Sequence, residues 1–116
     1  MSTQLNDVEE VQEALEAHNG SIVHINFIDE GDTASREQNE YFEKIASKAK
    51  SNNFGGYFYK VFLRDVPNVK EYLRVSPLEY QDSYEPFISI FHQTRLIGFA
   101  ETTDKNKVEE LLESLN

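Results

Sequence analysis

The segment Ser-Ile-Val-His-Ile-Asn-Phe-Ile at positions 21–28 constrains this chain more than any other. Successive residues of a strand point to opposite sides of a sheet. Ile22, Val23, Ile25, Phe27 and Ile28 therefore put apolar side chains on both faces. Such a strand belongs in the middle of a sheet that is covered above and below. Helical patterns flank it. Asn6 or Asp7 begins the first helix, and Glu9 or Glu10 three residues on completes a capping box. Val8, Val11 and Leu15 mark its apolar stripe, while Glu9, Glu10, Glu13 and Glu16 face water. His18-Asn19-Gly20 ends it, with Gly20 or Asn19 suited to a left-handed position after the last turn.

Asp29 to Ser35 is a turn feeding a second helix, whose N-cap is Asp32, Thr33 or Ser35; Gln38 lies three residues after Ser35. Phe42, Ile45, Ala46 and Ala49 repeat at i, i+3, i+4, i+7, a buried stripe, and Asn52 to Gly56 closes that helix. Tyr57 to Leu63 reads as a second strand. Asp65-Val66-Pro67-Asn68 opens a short helix through Leu73 or Val75, with Pro67 in its first turn. Ser76 to Glu85 is irregular and rich in Tyr, Asp and Pro. Pro86 leads a third strand, Phe87 to Phe91, and the turn His92-Gln93-Thr94-Arg95 returns a fourth, Leu96 to Ala100. Thr103 or Asp104 caps a last helix with Val108, Leu111, Leu112 and Leu115 on one stripe. The order α-β-α-β-α-β-β-α joins the first two strands by a right-handed parallel crossover and the last two as an antiparallel hairpin. It predicts an α/β sandwich, a four-stranded mixed sheet with helices on both faces. At 116 residues without repeats or linker-like stretches, one domain is expected over 1–116.

Composition removes whole classes of function. With no cysteine there is no thiol nucleophile, thiolate metal site, disulfide or sulfur redox chemistry. The formal charge is −10, and residues 1–35 hold eight of the 21 acids with no Lys or Arg. No basic cluster offers a face to a nucleic-acid backbone or an anionic membrane. No apolar run approaches the roughly 18–20 residues that span a bilayer. Met1 to Asp7 is polar and acidic, unlike a secretory signal, so a soluble, intracellular, cytoplasmic protein is expected.

The order of elements resembles the thioredoxin fold, and particular residues carry the likeness. Ile25-Asn26-Phe27-Ile28 falls where thioredoxins have the central strand that enters their active-site loop. Gly31-Asp32-Thr33-Ala34-Ser35-Arg36 takes the place of their Trp-Cys-Gly-Pro-Cys-Lys motif, at the same distance from a matching helix, Tyr41 to Ala46. Glu85-Pro86-Phe87-Ile88-Ser89-Ile90-Phe91 resembles the segment opened by the family's cis-proline, and Asp104 to Leu115 its closing helix. The resemblance covers essentially the whole chain and implies a thioredoxin-like three-layer α/β/α sandwich. By the same likeness, Asp32 and Ser35 stand where the two redox cysteines would be, and Asn26 where the buried acid/base aspartate would be. An Asp cannot attack a disulfide, a Ser hydroxyl neither forms nor resolves one, and an Asn amide cannot take up a proton as a carboxylate does. The resemblance thus implies a redox-inactive member without the CxxC motif. The stretch Ser76 to Tyr84 also lengthens the approach to Pro86.

Asp29, Glu30 and Asp32 are the densest acidic patch off a helix face. Capping and dipole complementation explain them ahead of a divalent cation, because no EF-hand spacing accompanies them. His18, His24 and His92 are scattered without HxH or HExxH spacing, which favours structural or surface roles. No Ser sits in a GxSxG elbow, and Gly55-Gly56 lacks phosphate-loop spacing and reads as a turn. No catalytic residue, cofactor or metal site is expected. If the bond before Pro86 is cis, the backbone of Glu85 or Tyr84 could accept an extended peptide, as thioredoxin-like grooves do; equally, it could only fix the fold. Tyr80 and Tyr84 alternate with acids on the inserted loop, a composition suited to protein recognition, although such a loop can also fold back over its own core.

The expected function is a protein-interaction or complex-assembly module. Its candidate contact residues are Asp32, Thr33, Ala34, Ser35, Tyr80, Tyr84, Glu85 and Pro86, and its partner is a protein with a basic surface. A chaperone-like factor holding a client polypeptide is the second expectation. A non-redox enzyme taking a small anionic thiol compound is the third, opposed by the acidic loop.

Overall fold

A computed structural model describes residues 2–51, 56–100, Asn106 and Glu110. Its elements run β1 (Thr3–Gln4), α1 (Val8–Ala17), β2 (Ile22–Ile28), α2 (Thr33–Ser51), β3 (Tyr57–Phe62), α3 (Val69–Leu73), a 3-10 turn (Leu78–Tyr80), β4 (Phe87–His92) and β5 (Arg95–Ala100). The strands form one sheet in the order β1-β3-β2-β4-β5. β1, β3 and β2 are parallel, while β4 runs antiparallel to both β2 and β5. The doubly apolar segment is therefore central, with Ile25 opposite Tyr59 on one side and Ser89 on the other.

Alternation along β2 splits the core into two layers. Val23, Ile25 and Phe27 pack with Val11, Ala14 and Leu15 of α1, Val69 of α3, and Leu63, Leu78, Phe87 and Phe91. On the opposite face Phe42 of α2 packs with Ile88, Ile90 and Ala100, joined by Ile22, Ile45 and Phe58. This is the expected α/β/α sandwich, with five strands where four were expected. The fifth, β1, is two exposed residues held by backbone pairing, Thr3 to Tyr59 and Gln4 to Lys60, so no side-chain alternation announces it.

Local chemistry sets the boundaries. Asp7 caps α1 by accepting the Glu10 N–H at 2.8 Å, and Glu10 reaches back to the Asn6 N–H at 3.4 Å. The α1 end departs from expectation, since neither Asn19 nor Gly20 is left-handed. His18 is the C-cap at φ −114°. Its carbonyl accepts the Ser21 N–H at 2.9 Å, a turn that needs no left-handed residue. Pro67 precedes the α3 N-cap, Asn68, rather than lying in the first turn, because the chain first makes a turn closed by Val66 N–H to Phe62 O. The β4–β5 hairpin turns through Gln93 and Thr94, both at positive φ (53° and 61°), the geometry of a two-residue primed turn whose twist matches the flanking strands. The expected closing turn at Asn52 to Gly55 lies outside the described residues, as does the expected last helix from Asp104 to Leu115 apart from Asn106 and Glu110, both helical.

Candidate functional site

The parallel strands β2 and β3 end on the same rim of the sheet, where the antiparallel β4 begins. Three segments meet there: the 29–35 loop, Arg64 after β3, and the inserted stretch before Pro86.

Backbone donors and short side chains wire the loop into one conformation. The Asp29 N–H donates to Ser35 Oγ at 2.9 Å, and Asp29 Oδ1 accepts the Gly31 N–H at 3.0 Å. Asp32 is the N-cap in effect, its carboxylate accepting the Ser35 N–H at 3.1 Å while its carbonyl accepts the Arg36 N–H. Thr33 is exposed and its Oγ1 accepts from Arg36 at 3.3 Å; Ala34 is half-buried. Ser35 is almost wholly buried, so its hydroxyl faces the protein interior. Asn26 is also buried, and its amide nitrogen donates to Asn39 Oδ1 at 3.3 Å. The three positions that resemble the redox centre thus hold a helix cap, an internal hydroxyl acceptor and an amide pair. Gln38, one turn along α2, is buried with neither amide atom partnered among the described residues.

Arg64 ties the loop to the inserted stretch. Its Nε donates to Asp29 Oδ1 at 2.8 Å and its Nη2 to Oδ2 at 3.4 Å, while its guanidinium carbon lies 4.7 Å from the Tyr84 ring centroid. The Arg64 hydrogen bond holds the Asp29 carboxyl below the usual range against a smaller opposing effect of burial. Asp29 is therefore engaged by an arginine and a backbone amide. Among the described residues no group of three or more His, Asp or Glu converges as a metal site. The histidines do not converge either. His18 stacks on Tyr57 with ring centroids 3.5 Å apart, His24 is buried against Phe58, and His92 sits at the hairpin.

One part of the stretch from Ser76 to Tyr84 folds back over the core and another stands in solvent. Leu78 is buried in the α1–α3 core layer, whereas Tyr80, two residues on, is 81% exposed. Tyr84 is partly exposed beneath Arg64. The cis peptide lies at Ser76–Pro77, and the bond before Pro86 is trans, so the condition attached to a Pro86 groove is not met. Pro86 itself is half-buried at the start of β4. The Glu85 carbonyl faces inward to Lys70 Nζ, which also donates to Gln81 Oε1 at 2.8 Å and to the Asp82 carbonyl at 3.2 Å.

Arg64 and Lys70 were not among the candidates. Lys70 had a readable signal: Val66, Val69, Lys70 and Leu73 stand at i, i+3, i+4, i+7, which puts the lysine on the buried stripe. Arg64 had none, because its partners are 35 and 20 residues away in sequence.

No protein-family model and no curated protein sequence matches this chain. Solved structures do. Fasciola hepatica thioredoxin superposes with a TM-score of 0.79 at 11% identity, over 98% of this chain and 99% of that one. Reduced Schistosoma mansoni thioredoxin pre-protein gives 0.75 at 15% identity, over 98% and 97%. The Drosophila germline-specific thioredoxin Deadhead gives 0.74 at 15% identity, over the full length of both. The chain has a thioredoxin-like fold and no cysteine with which to perform thiol–disulfide exchange. No helix among the described residues is long and apolar enough to cross a membrane.

Proposed function

We propose that this chain is a non-catalytic thioredoxin-like module that binds a protein partner through the rim formed by the 29–35 loop and the inserted stretch. The observation that carries the reading is Tyr80, 81% exposed on a segment anchored by buried Leu78. An aromatic held out from a fixed base offers a large contact area with little side-chain entropy to lose. Tyr84, linked to the loop through Arg64 and Asp29, extends the same surface toward Asp32 and Thr33. Glu79, Asp82 and Glu85 are exposed beside the tyrosines, which favours a partner presenting Lys or Arg. The setting proposed is intracellular.

The test is affinity capture with the intact protein, in parallel with Tyr80→Ala and Tyr84→Ala variants of unchanged melting temperature. A stoichiometric partner that the double variant loses supports the reading, and its capture should weaken as salt rises. Equal capture by wild type and double variant refutes the rim as the contact surface. Suppression of aggregation across many unrelated clients, with no stoichiometric partner, would assign the chain to the holding-factor class instead.

A further inference from the structure

We infer that Lys70 is the positioning residue of the Tyr80–Tyr84 segment, a buried ammonium that selects one conformation of an otherwise irregular stretch; this rests on the reading of that segment as a contact surface. Lys70 is only 2% exposed, on the inner face of a five-residue helix. A lysine is rarely buried unless its charge finds oxygens. Three oxygens of the segment converge on Nζ: the Gln81 side-chain amide, the Asp82 carbonyl and the Glu85 carbonyl. The last two are backbone groups, so the ammonium reads the path of the chain itself.

These contacts bracket Tyr84 on both sides and begin one residue after Tyr80. Regular structure does little here: beyond the 3-10 turn the segment carries isolated turn bonds, Gln81 N–H to Leu78 O and Glu85 N–H to Asp82 O. A charged donor with three acceptors in fixed directions defines geometry better than two such turns can. It need not add to global stability, because replacing a buried ion by an apolar group of like shape is often neutral. The gain lies in preorganisation, since a contact loop already in its bound shape loses less entropy on binding.

Lys70→Met keeps an unbranched side chain one atom shorter and removes the charge. Hydrogen exchange of the full-length variant, read amide by amide by NMR, should show the Gln81 and Glu85 N–H groups losing protection by about tenfold or more, as expected for loss of charge-assisted hydrogen bonds. Amides of β2 and β4 should keep theirs. Chymotrypsin should cut after Tyr80 or Tyr84 faster by a similar factor. If Lys70→Met does not fold, Gln81→Leu removes one acceptor and should show the same pattern at smaller size. Unchanged protection at Gln81 and Glu85 overturns the proposal, and so does an equal loss throughout the sheet, which would make Lys70 a general core residue. Neither measurement uses a partner. A loosened segment together with partner capture that ignores Tyr80 and Tyr84 would leave the clamp standing and remove the contact surface.

Discussion

Acidification from pH 7 to 5 should cost this fold about 2 kcal/mol through one side chain, His24. His24 lies in the central strand with no exposed surface. Its ring stacks on Phe58 at 4.1 Å between centroids, and its Nδ1 is 3.1 Å from the Tyr57 carbonyl, which fits the tautomer that donates there. Nε2 has no partner among the described residues, so a second proton would be placed in an apolar layer. Burial accordingly lowers the pKa from 6.5 to about 4, against a smaller upward pull from the Tyr57 carbonyl. The unfolded chain keeps the ordinary value. Above pH 6.5 both states are neutral and nothing is lost. As pH falls below 6.5 the unfolded state takes up the proton first and gains, and below about 4 the folded state takes it up too and the loss levels off. The full span is about 3.4 kcal/mol at ~1.4 kcal/mol per pKa unit. Roughly 2 of that is reached by pH 5, or about 8 °C in Tm for a domain of this size. Urea titrations at pH 7, 6 and 5 measure it, with His24→Gln as the control that keeps a donor and cannot titrate. Asp29 and Glu43 do not confuse the window. Both carboxyls are held below their ordinary values of 3.8 and 4.5, so their contribution is complete at pH 5 and is lost only at lower pH. Equal pH slopes in wild type and His24→Gln would refute the reasoning, as would a folded-state His24 ring titrating near 6.5 by NMR.

Asp32→Ala removes the α2 cap at the position resembling a redox cysteine and should lower stability by about 1 kcal/mol in denaturant titration. Gly56→Ala should do more, about 1–3 kcal/mol, because Gly56 has φ +111° and an added Cβ would stand 2.6 Å from the Ile22 carbonyl oxygen; the same titration reads it. Burial pushes the Glu43 carboxyl up, but hydrogen bonds from Ser2 and the charge of Lys60 outweigh it and hold it below 4.5. Glu43→Gln should therefore flatten the stability profile below about pH 4.5 and leave it unchanged between 5 and 7. Arg64→Met should release the Asp29 carboxyl toward its ordinary value by NMR titration while leaving the urea unfolding midpoint almost unchanged, as for an exposed pair.

The elements legible from sequence are those whose burial follows a period. The α1 stripe of Val11 and Leu15, the α2 stripe of Phe42 and Ala46 and the doubly buried β2 all lie where spacing put them. β1 was not legible because its two residues pair through backbone groups that every residue carries. The end of α1 misled for a related reason: Asn and Gly permit a left-handed turn but do not require one, and the Ser21 N–H satisfied the His18 carbonyl without it. At the rim, composition singled out Tyr80 and Tyr84 as contact candidates, and spacing placed Lys70 on a buried stripe without saying what it would meet. The holding groups are Arg64 and Lys70, and their partners are chosen by the tertiary fold, across the sheet end and from α3.

The loop that resembles a redox motif shows why the scaffold does not need sulfur to persist. A helix start needs acceptors for its first N–H groups, and a carboxylate at the cap supplies one at least as well as a thiolate could. Asp32 does so for Ser35, and Ser35 in turn accepts the Asp29 N–H with an oxygen that a cysteine sulfur would replace only weakly. Asn26 remains buried because its amide finds Asn39, where a lone carboxylate would bring a charge into the same low-polarity layer. Each of the three positions therefore carries a hydrogen bond within the fold, and none carries a thiol that could exchange with a disulfide. The shape of the rim is held from outside that loop. The two cations that fix that shape, Arg64 outside and Lys70 inside, belong to the segments leading into the inserted stretch and not to the loop that defines the resemblance.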